Sequence, residues 1–225
     1  MVELFSKELK EGTSKSHSAA ENTKFVSGFL KGVVDPEQYR QLLTNFYYVY
    51  QTMENCIRET KDPLVKSIYY PEVERVNELE RDLRFYYGPQ WRSLQIPTEA
   101  CNTYCYRINQ IATDDPYLLI AHHYTRYIGD LSGGQILKGI AQKALNPPEG
   151  EGLHFYDFPY IDDAKAFKTD YKAVLDGLEI NQNQIDAIII EANYAFKLNM
   201  YMFDELQGDA KKGLLKVLWG AITGK

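Results

Sequence analysis

The chain has 225 residues and a formal net charge of −6, with 44% hydrophobic and 25% charged residues. This balance is typical of a globular protein and excludes a disordered or fibrous chain. The acidic charge and the lack of a basic tract argue against nucleic acid as a partner. Three cysteines are too few for a disulfide framework, and no apolar run reaches the ~20 residues of a membrane span, so we expect no membrane anchor.

Apolar residues recur at spacings of three and four along almost the whole chain, which is the pattern of amphipathic helices. The pattern is clear after Asp35 and Pro36, which supply an N-cap and a first helical residue, because Leu42, Phe46 and Met53 then follow on one face. We find no convincing strand. The predicted helices cover the first twenty-odd residues, 35–57, 71–88, 97–111, 115–146, 162–178, 181–203 and 208–222.

One long irregular stretch, 147–159, interrupts this series and contains both proline and glycine. Helical patterns flank it without a change in composition, so we interpret it as a surface connection and not as a domain boundary. The sequence therefore predicts a single all-α domain of about eight helices that spans residues 1–225.

The helical pattern over 115–146 contains Gly129, Gly133 and Gly134, and each glycine costs roughly 1 kcal/mol relative to alanine in a helix interior. Glycine lets a backbone approach a flat surface that any Cβ would hold away. Close packing against another helix, or a break in the helix, would explain these glycines equally well. Residues 131–135 also spell LSGGQ, a signature of ABC-type ATPases, but the chain lacks the GxxxxGK[ST] loop that such an enzyme requires.

His17 is a candidate metal ligand on the first helix. It shares one helical stripe with Lys10 and Glu21, beside an apolar line, so we expect it to border the core. Glu21 is placed to hydrogen-bond one ring nitrogen and leave the other for a metal. Lys10, roughly 10 Å away, suits an acidic group at the edge of a large ligand. A boundary histidine with a helical partner is the alternative that the spacing leaves open.

Two other histidine patterns give no metal site. The adjacent His122 and His123 point about 100° apart on a helix, so they cannot ligate one metal from one face. Glu151 and His154 have the Glu-x-x-His spacing of a di-iron bundle, but such a centre needs a second copy that this chain lacks.

Segments 9–22 and 119–135 resemble the proximal and distal helices of haem oxygenases; they read LKEGTSKSHSAAEN and LIAHHYTRYIGDLSGGQ. The likeness extends through 85–89 and 191–193 to Phe203 and covers nearly the whole chain. It implies an all-α fold that holds haem b between the two helices. The apolar stretch 213–222 is too short to span a bilayer, so the chain is similar to the soluble cyanobacterial or plastid type.

This resemblance implies an enzyme whose substrate, haem, also activates O2. The implied reaction opens the ring at the α-meso carbon and yields biliverdin IXα, carbon monoxide and ferrous iron. The implied electron donor is reduced ferredoxin, and the product would enter bilin synthesis through a bilin reductase or serve iron release. The implied location is the cytoplasm or the plastid stroma.

The resemblance also assigns roles to individual residues. It implies that His17 is the axial ligand of the haem iron, with Glu21 as its hydrogen-bond partner. It implies that Asp130 holds a chain of groups that delivers protons, with Arg126 and Tyr50 as further members. The remaining implied contacts are with the haem face and wall (Thr125, Gly129, Gly133, Gly134, Phe196, Asn199, Phe203) and with the propionates (Lys10, Tyr124, Lys168, Lys172).

Two other functions stay open on the residues alone. A haem-binding or haem-transfer protein of the same fold would need His17 but no carboxylate at Asp130. A helical protein that handles another small molecule, as thiamin-degrading proteins of this general architecture do, would not need an axial histidine.

Overall fold

The computed structural model describes residues 4–207, and these residues form helices and connections without a strand, which confirms the predicted all-α fold. The predicted helix 208–222 and the apolar stretch 213–222 lie outside the described residues. The α-helices are α1 (Phe5–Glu21), α2 (Lys24–Leu30), α3 (Pro36–Glu59), α4 (Pro63–Ser67), α5 (Val76–Tyr87), α6 (Trp91–Leu94), α7 (Glu99–Asp114), α8 (Leu119–His123), α9 (Gly129–Leu145), α10 (Ala164–Asp176) and α11 (Gln182–Leu206).

Side-chain caps determine where several helices begin. Asp35 accepts a hydrogen bond from the backbone N–H of Gln38 at 2.9 Å, so α3 begins where the sequence predicts it. Asn181 and Gln184 form a reciprocal capping box at the start of α11. Thr23 caps α2, a seven-residue helix that is too short to give a clear periodicity.

Helices α3, α7 and α11 pack against one another in the centre of the molecule, and α1 lies along α11. The approach of α1 to α11 requires a glycine at position 12, because a Cβ there would lie 2.7 Å from Cγ2 of Ile189. The buried face of α1 consists of Phe5, Leu9 and Thr13. His17 lies one turn after Thr13, at the edge of this buried face, where its side chain is exposed.

The predicted helix over 115–146 is continuous from α8 into α9 and contains a π-helical turn, Tyr124–Ile128. Gly129 has ordinary helical dihedral angles, with φ −63° and ψ −50°. The glycines therefore do not break the helix. A π-helical turn inside an α-helix is uncommon and frequently marks a functional site.

The interpretation of 147–159 as a surface connection is wrong for its second half. Leu153, Phe155 and Tyr156 are only 3–4% exposed and belong to the hydrophobic core. Burial of a connection requires partners for its backbone groups, and here the carboxylate of Asp82 accepts the N–H groups of His154 and Phe155, both at 2.8 Å. Asp82 lies about seventy residues earlier in the chain, so no local sequence pattern predicts this contact.

Candidate functional site

His17 is more exposed than the spacing predicts, since 56% of its side chain is accessible. Its Nδ1 lies 3.7 Å from Oε2 of Glu21, one turn further along α1. The ring of Phe196 on α11 contacts the imidazole edge-on, with 5.8 Å between the ring centroids. Because no residue within 4–207 hydrogen-bonds Nε2, this nitrogen is accessible to a ligand.

A buried polar cluster lies where the π-helical turn meets α9. Tyr50 of α3 donates a hydrogen bond to Oδ2 of Asp130, and Arg126 Nε donates to the Tyr50 oxygen at 2.9 Å. Arg126 Nη1 donates to Oδ1 of Asn199 at 2.6 Å, and its Nη2 lies 3.5 Å from Oδ1 of Asp130. The three residues that the resemblance placed in one chain of groups thus contact one another directly, and Asn199 joins them.

Burial controls the electrostatics of this cluster. It raises the pKa of Asp130, although Arg126 and the Tyr50 hydroxyl oppose that shift by stabilising the carboxylate. Burial also raises the pKa of Tyr50 well above 10, so the phenol keeps its proton and acts as a donor. The Arg126 guanidinium lies over the rings of Phe46 and Tyr50, at 4.4 and 5.1 Å from their centroids. Asp130 is therefore a largely buried carboxyl, with 15% of its side chain exposed, whose pKa lies above its ordinary value and whose neighbours are held in place.

Gly129 and Gly133 lie one turn apart on α9, so their Cα atoms face the same way. At both positions an added Cβ would meet no atom within 4 Å, its own helix backbone aside. A Cβ at Gly134, by contrast, would lie 3.7 Å from the ring of Tyr156. Close helix packing therefore does not explain Gly129 and Gly133, and the backbone there borders open space. Near them, the hydroxyl of Thr125 is buried and has no hydrogen-bond partner among the described residues.

One face of α11 connects the two halves of the site. Phe196, Asn199 and Phe203 are spaced by three and four residues and so lie on the same side of the helix. Phe196 contacts His17, Asn199 accepts a hydrogen bond from the buried cluster, and Phe203 stacks on Phe25 of α2 at 5.6 Å. Phe196 and Asn199 themselves are only ~4.5 Å apart along the axis of α11. The expected wall residues are thus brought together.

The expected propionate residues are brought together only in part. Lys168 of α10 donates a hydrogen bond to the hydroxyl of Ser132 on α9 at 3.3 Å, one residue before Gly133. Tyr124 is half-buried in the π-helical turn. Lys10 and Lys172 are exposed, and neither forms an ion pair within residues 4–207.

His122 and His123 are buried and have protein partners. His122 Nε2 lies 2.9 Å from Oε1 of Glu191, and His123 stacks on Tyr171, with its Nδ1 2.9 Å from the phenol oxygen. Burial lowers the pKa of His123 to about 3, so its ring is neutral. Within residues 4–207, no group of three or more His, Cys, Asp or Glu side chains is suited to a metal ion. The same residues contain no helix with the length and apolar character needed to cross a membrane.

Sequence reasoning missed two aromatic residues that surround the cluster. Phe46 lies under the Arg126 guanidinium, and its position one turn before Tyr50 on α3 was a usable signal. Phe155 packs against both Phe46 and Tyr50, at 5.2 and 5.8 Å between ring centroids. No local pattern predicts that contact, because Phe155 lies in the stretch 147–159, which the sequence predicts to be a surface connection.

Comparisons with known proteins give the family to which this chain belongs. The sequence model of the family "Heme oxygenase" matches residues 3–205. A heme oxygenase of Guillardia theta is 50% identical over 212 residues, which cover 94% of this chain and 90% of that protein. Heme oxygenase 1 of the cyanobacterium Synechocystis is 49% identical over 217 residues, covering 96% and 90%. The crystal structure of the Synechocystis heme oxygenase-1 in complex with heme matches with a TM-score of 0.89 at 48% identity, and covers 98% of this chain and 100% of that one. The chain belongs to the heme oxygenase family.

Proposed function

We propose that this enzyme opens haem b at the α-meso carbon and releases biliverdin IXα, carbon monoxide and ferrous iron, with O2 and electrons from reduced ferredoxin. The observation that carries the proposal is the buried cluster of Asp130, Tyr50 and Arg126, next to two glycines that face open space. A protein that only carried haem would not need a buried carboxyl there. Membership of the heme oxygenase family supports the reaction class.

The residues present fit a haem group. Gly129 and Gly133 leave room for a flat ring to lie on the backbone, and Thr125 offers an unpaired hydroxyl nearby. We assign His17 Nε2 as the axial ligand, with Glu21 polarising the ring through Nδ1. When bound, the haem supplies the iron that activates O2. The propionates would be held by Lys10, Tyr124, Lys168 and Lys172, and the wall would consist of Gly134, Phe196, Asn199 and Phe203.

Asp130 is the group that we assign to proton transfer. Burial raises the pKa of Asp130 and so favours its protonated form over that of an ordinary aspartate, and the Tyr50 hydroxyl and Arg126 stabilise the carboxylate after the proton has left. Absence of side chains at Gly129 and Gly133 lets the backbone crowd one part of the ring, which would direct attack to one meso carbon. A neutral imidazole ligand such as His17 gives less push toward O–O cleavage than a thiolate, which favours oxidation of the ring itself.

Ring opening can be followed directly by absorbance. Ferric haem is titrated into the purified protein, a reductant is added in air, and loss of the Soret band with a gain of red bilin absorbance is expected. A persistent Soret band would identify a haem carrier and contradict the proposal. We expect His17→Ala to lose the spectrum of an imidazole-ligated haem.

The Asp130 assignment needs a variant that keeps haem binding. We expect Asp130→Asn to bind haem normally and to slow ring opening by about 100-fold or more, the usual range for loss of a general acid. The matched control is Asp170→Asn, which changes an exposed carboxylate on α10. Unchanged turnover in Asp130→Asn would refute the assignment.

The electron donor and the destination of the product are tested separately. Cyanobacterial and algal relatives support ferredoxin as donor, a bilin reductase as the next enzyme, and a location in the cytoplasm or plastid stroma. Docking of an acidic ferredoxin would use exposed lysines such as Lys10, Lys15 and Lys143, whereas Lys138 is engaged by Asp157. Turnover with reduced ferredoxin should fall steeply as salt is added, and a salt-independent rate would exclude this docking mode.

A further inference from the structure

The short 3₁₀ turn His154–Tyr156 is buried directly behind the Asp130 cluster. Phe155, in the middle of this turn, packs on Phe46 and Tyr50 with centroid distances of 5.2 and 5.8 Å. These are the two rings over which the Arg126 guanidinium lies. Phe155 thus contacts both of the rings that the Arg126 guanidinium contacts. A shift of Phe155 would move the Tyr50 hydroxyl that donates to Asp130.

Two charged side chains hold this turn at its opposite ends. At its start, the two carboxylate oxygens of Asp82 accept the N–H groups of His154 and Phe155, each at 2.8 Å. At its end, Arg75 Nη1 donates to the carbonyl oxygen of Phe155 at 3.3 Å and to that of Asp157. The turn therefore has an acidic group at its N–H end and a basic group at its C=O end, which matches the polarity of its backbone. Burial raises the pKa of Asp82 to about 7, so its negative charge is fully present only above that pH.

Arg75 is itself held in place and is almost completely buried, with 1% exposure. Its Nε donates to the carbonyl oxygen of Val73 at 2.8 Å, and its backbone N–H donates to Oε1 of Glu54 at 2.6 Å. Its guanidinium lies 3.8 Å from the centroid of the Phe158 ring. A buried guanidinium is costly unless its donors are satisfied, and here Nε and Nη1 both donate to backbone carbonyl oxygens.

We propose that Arg75 and Asp82 are positioning residues for ring opening. Their hydrogen bonds to the backbone of the turn His154–Tyr156 hold Phe155 against Phe46 and Tyr50. The inference rests on the proposed role of Asp130. Neither residue is needed to bind haem, because their contacts are with the turn and not with the glycine face. Phe155 acts on Asp130 through the Tyr50 hydroxyl, and Arg75 in addition lowers the pKa of Asp130 directly by its charge.

The first test uses the haem-free protein. The groups that act on the Asp130 carboxyl are Tyr50, Arg126 and Arg75, and all three lower its pKa. We therefore expect both Arg75→Gln and Phe155→Leu to raise the pKa of Asp130 in a carbon-13 NMR titration. Hydrogen exchange of the amides at 154–157 should quicken in Arg75→Gln. An unchanged Asp130 titration in Phe155→Leu would overturn the proposal.

The second test uses turnover and asks whether the effects share one route. Phe155→Leu and Arg75→Gln should each lower the ring-opening rate about tenfold with less than a twofold change in haem affinity, since small misplacements of catalytic groups act on rate. In a Tyr50→Phe background Phe155→Leu should cause no further loss, whereas an additive loss would overturn the proposal. Arg75→Lys, which keeps the charge, should open the ring faster than Arg75→Gln. An equally slow rate in both variants would contradict the proposed hold of Arg75 on the turn.

Controls separate this proposal from the proposed function. Arg92→Gln removes an exposed arginine that pairs with Glu80, outside this route, and should leave the rate and the Asp130 titration unchanged. If the wild-type protein does not open haem, the proposed function fails, while the haem-free measurements still decide whether the turn positions the Tyr50–Asp130 contact.

Discussion

Substitution of Gly133 by alanine should make the haem-free protein more stable and its haem complex weaker. The stability gain follows from helix propensity, because alanine is better than glycine by about 1 kcal/mol in a helix interior. No steric penalty opposes this gain, since the new Cβ would meet no atom within 4 Å. The free energy of unfolding of haem-free Gly133→Ala should therefore rise by about 1 kcal/mol.

The opposite effect on haem follows from the same open space. A methyl group at Gly133 would occupy the volume next to the backbone where we place the ring. Excess atoms in a packed contact typically cost 1–3 kcal/mol, which corresponds to a loss of affinity of roughly fivefold to a hundredfold. Gly139 offers a matched control, because its Cβ would also meet no atom within 4 Å and it lies on the same helix but on another face.

Two measurements test these opposite effects of Gly133→Ala on stability and on haem binding. Urea unfolding of the haem-free proteins should show similar stabilisation in Gly133→Ala and Gly139→Ala. Haem titration should show weaker binding in Gly133→Ala alone. Normal haem affinity in Gly133→Ala would refute the reasoning, and so would an equal loss of affinity in the Gly139 variant.

Two further predictions concern pH and stability. Burial keeps His123 neutral, with a pKa of about 3. Its contribution to the free energy of unfolding is therefore complete above pH 6.5 and declines as the pH falls toward 3. Relative to His123→Phe, which keeps a ring on Tyr171, the unfolding free energy of the wild type should drop by about 2–3 kcal/mol between pH 7.5 and 4.5. A difference in unfolding free energy between the wild type and His123→Phe that does not change with pH would contradict this expectation. Although burial opposes the shift, hydrogen bonds and charge from His122 and Arg107 lower the pKa of Glu191 to about 2. Glu191→Gln should therefore lower the unfolding free energy by about 3 kcal/mol at pH 7 and by less as the pH falls from 4.5 toward 2, measured by urea unfolding. A loss of stability that does not change with pH would be inconsistent with this ion pair.

The helices could be predicted because their signals are local. Asp35 and Asn181 cap α3 and α11, and long apolar stripes follow each cap, so position and type come from neighbouring residues. The predicted single domain stays a prediction. Short helices such as α4 and α6 escaped detection, because one turn is too little for a period to appear.

The candidate site was less accessible to sequence reasoning than the fold. Tyr50, Arg126 and Asn199 stand on three different helices, and nothing in their spacing indicates that they meet. Only the resemblance of two long segments to haem oxygenases grouped the first two with Asp130. The resemblance did not reveal the buried turn around Phe155, because that contact depends on partners far away in the chain.

The site is built from features that lower stability, which is itself an argument for function. Gly129 and Gly133 each cost a helix about 1 kcal/mol without making a close contact, and the buried Arg126 and Arg75 carry charge that apolar residues would not. Asp130 is a largely buried ionisable group in the same cluster. A chain selected for packing alone would replace them, because alanine fits both glycine positions and well-packed apolar groups in place of buried ions are often neutral or stabilising. Arg126 and Asp130 lie with the two glycines on the π-helical turn and α9, which follows if this backbone must lie against a flat ligand and place a proton beside it.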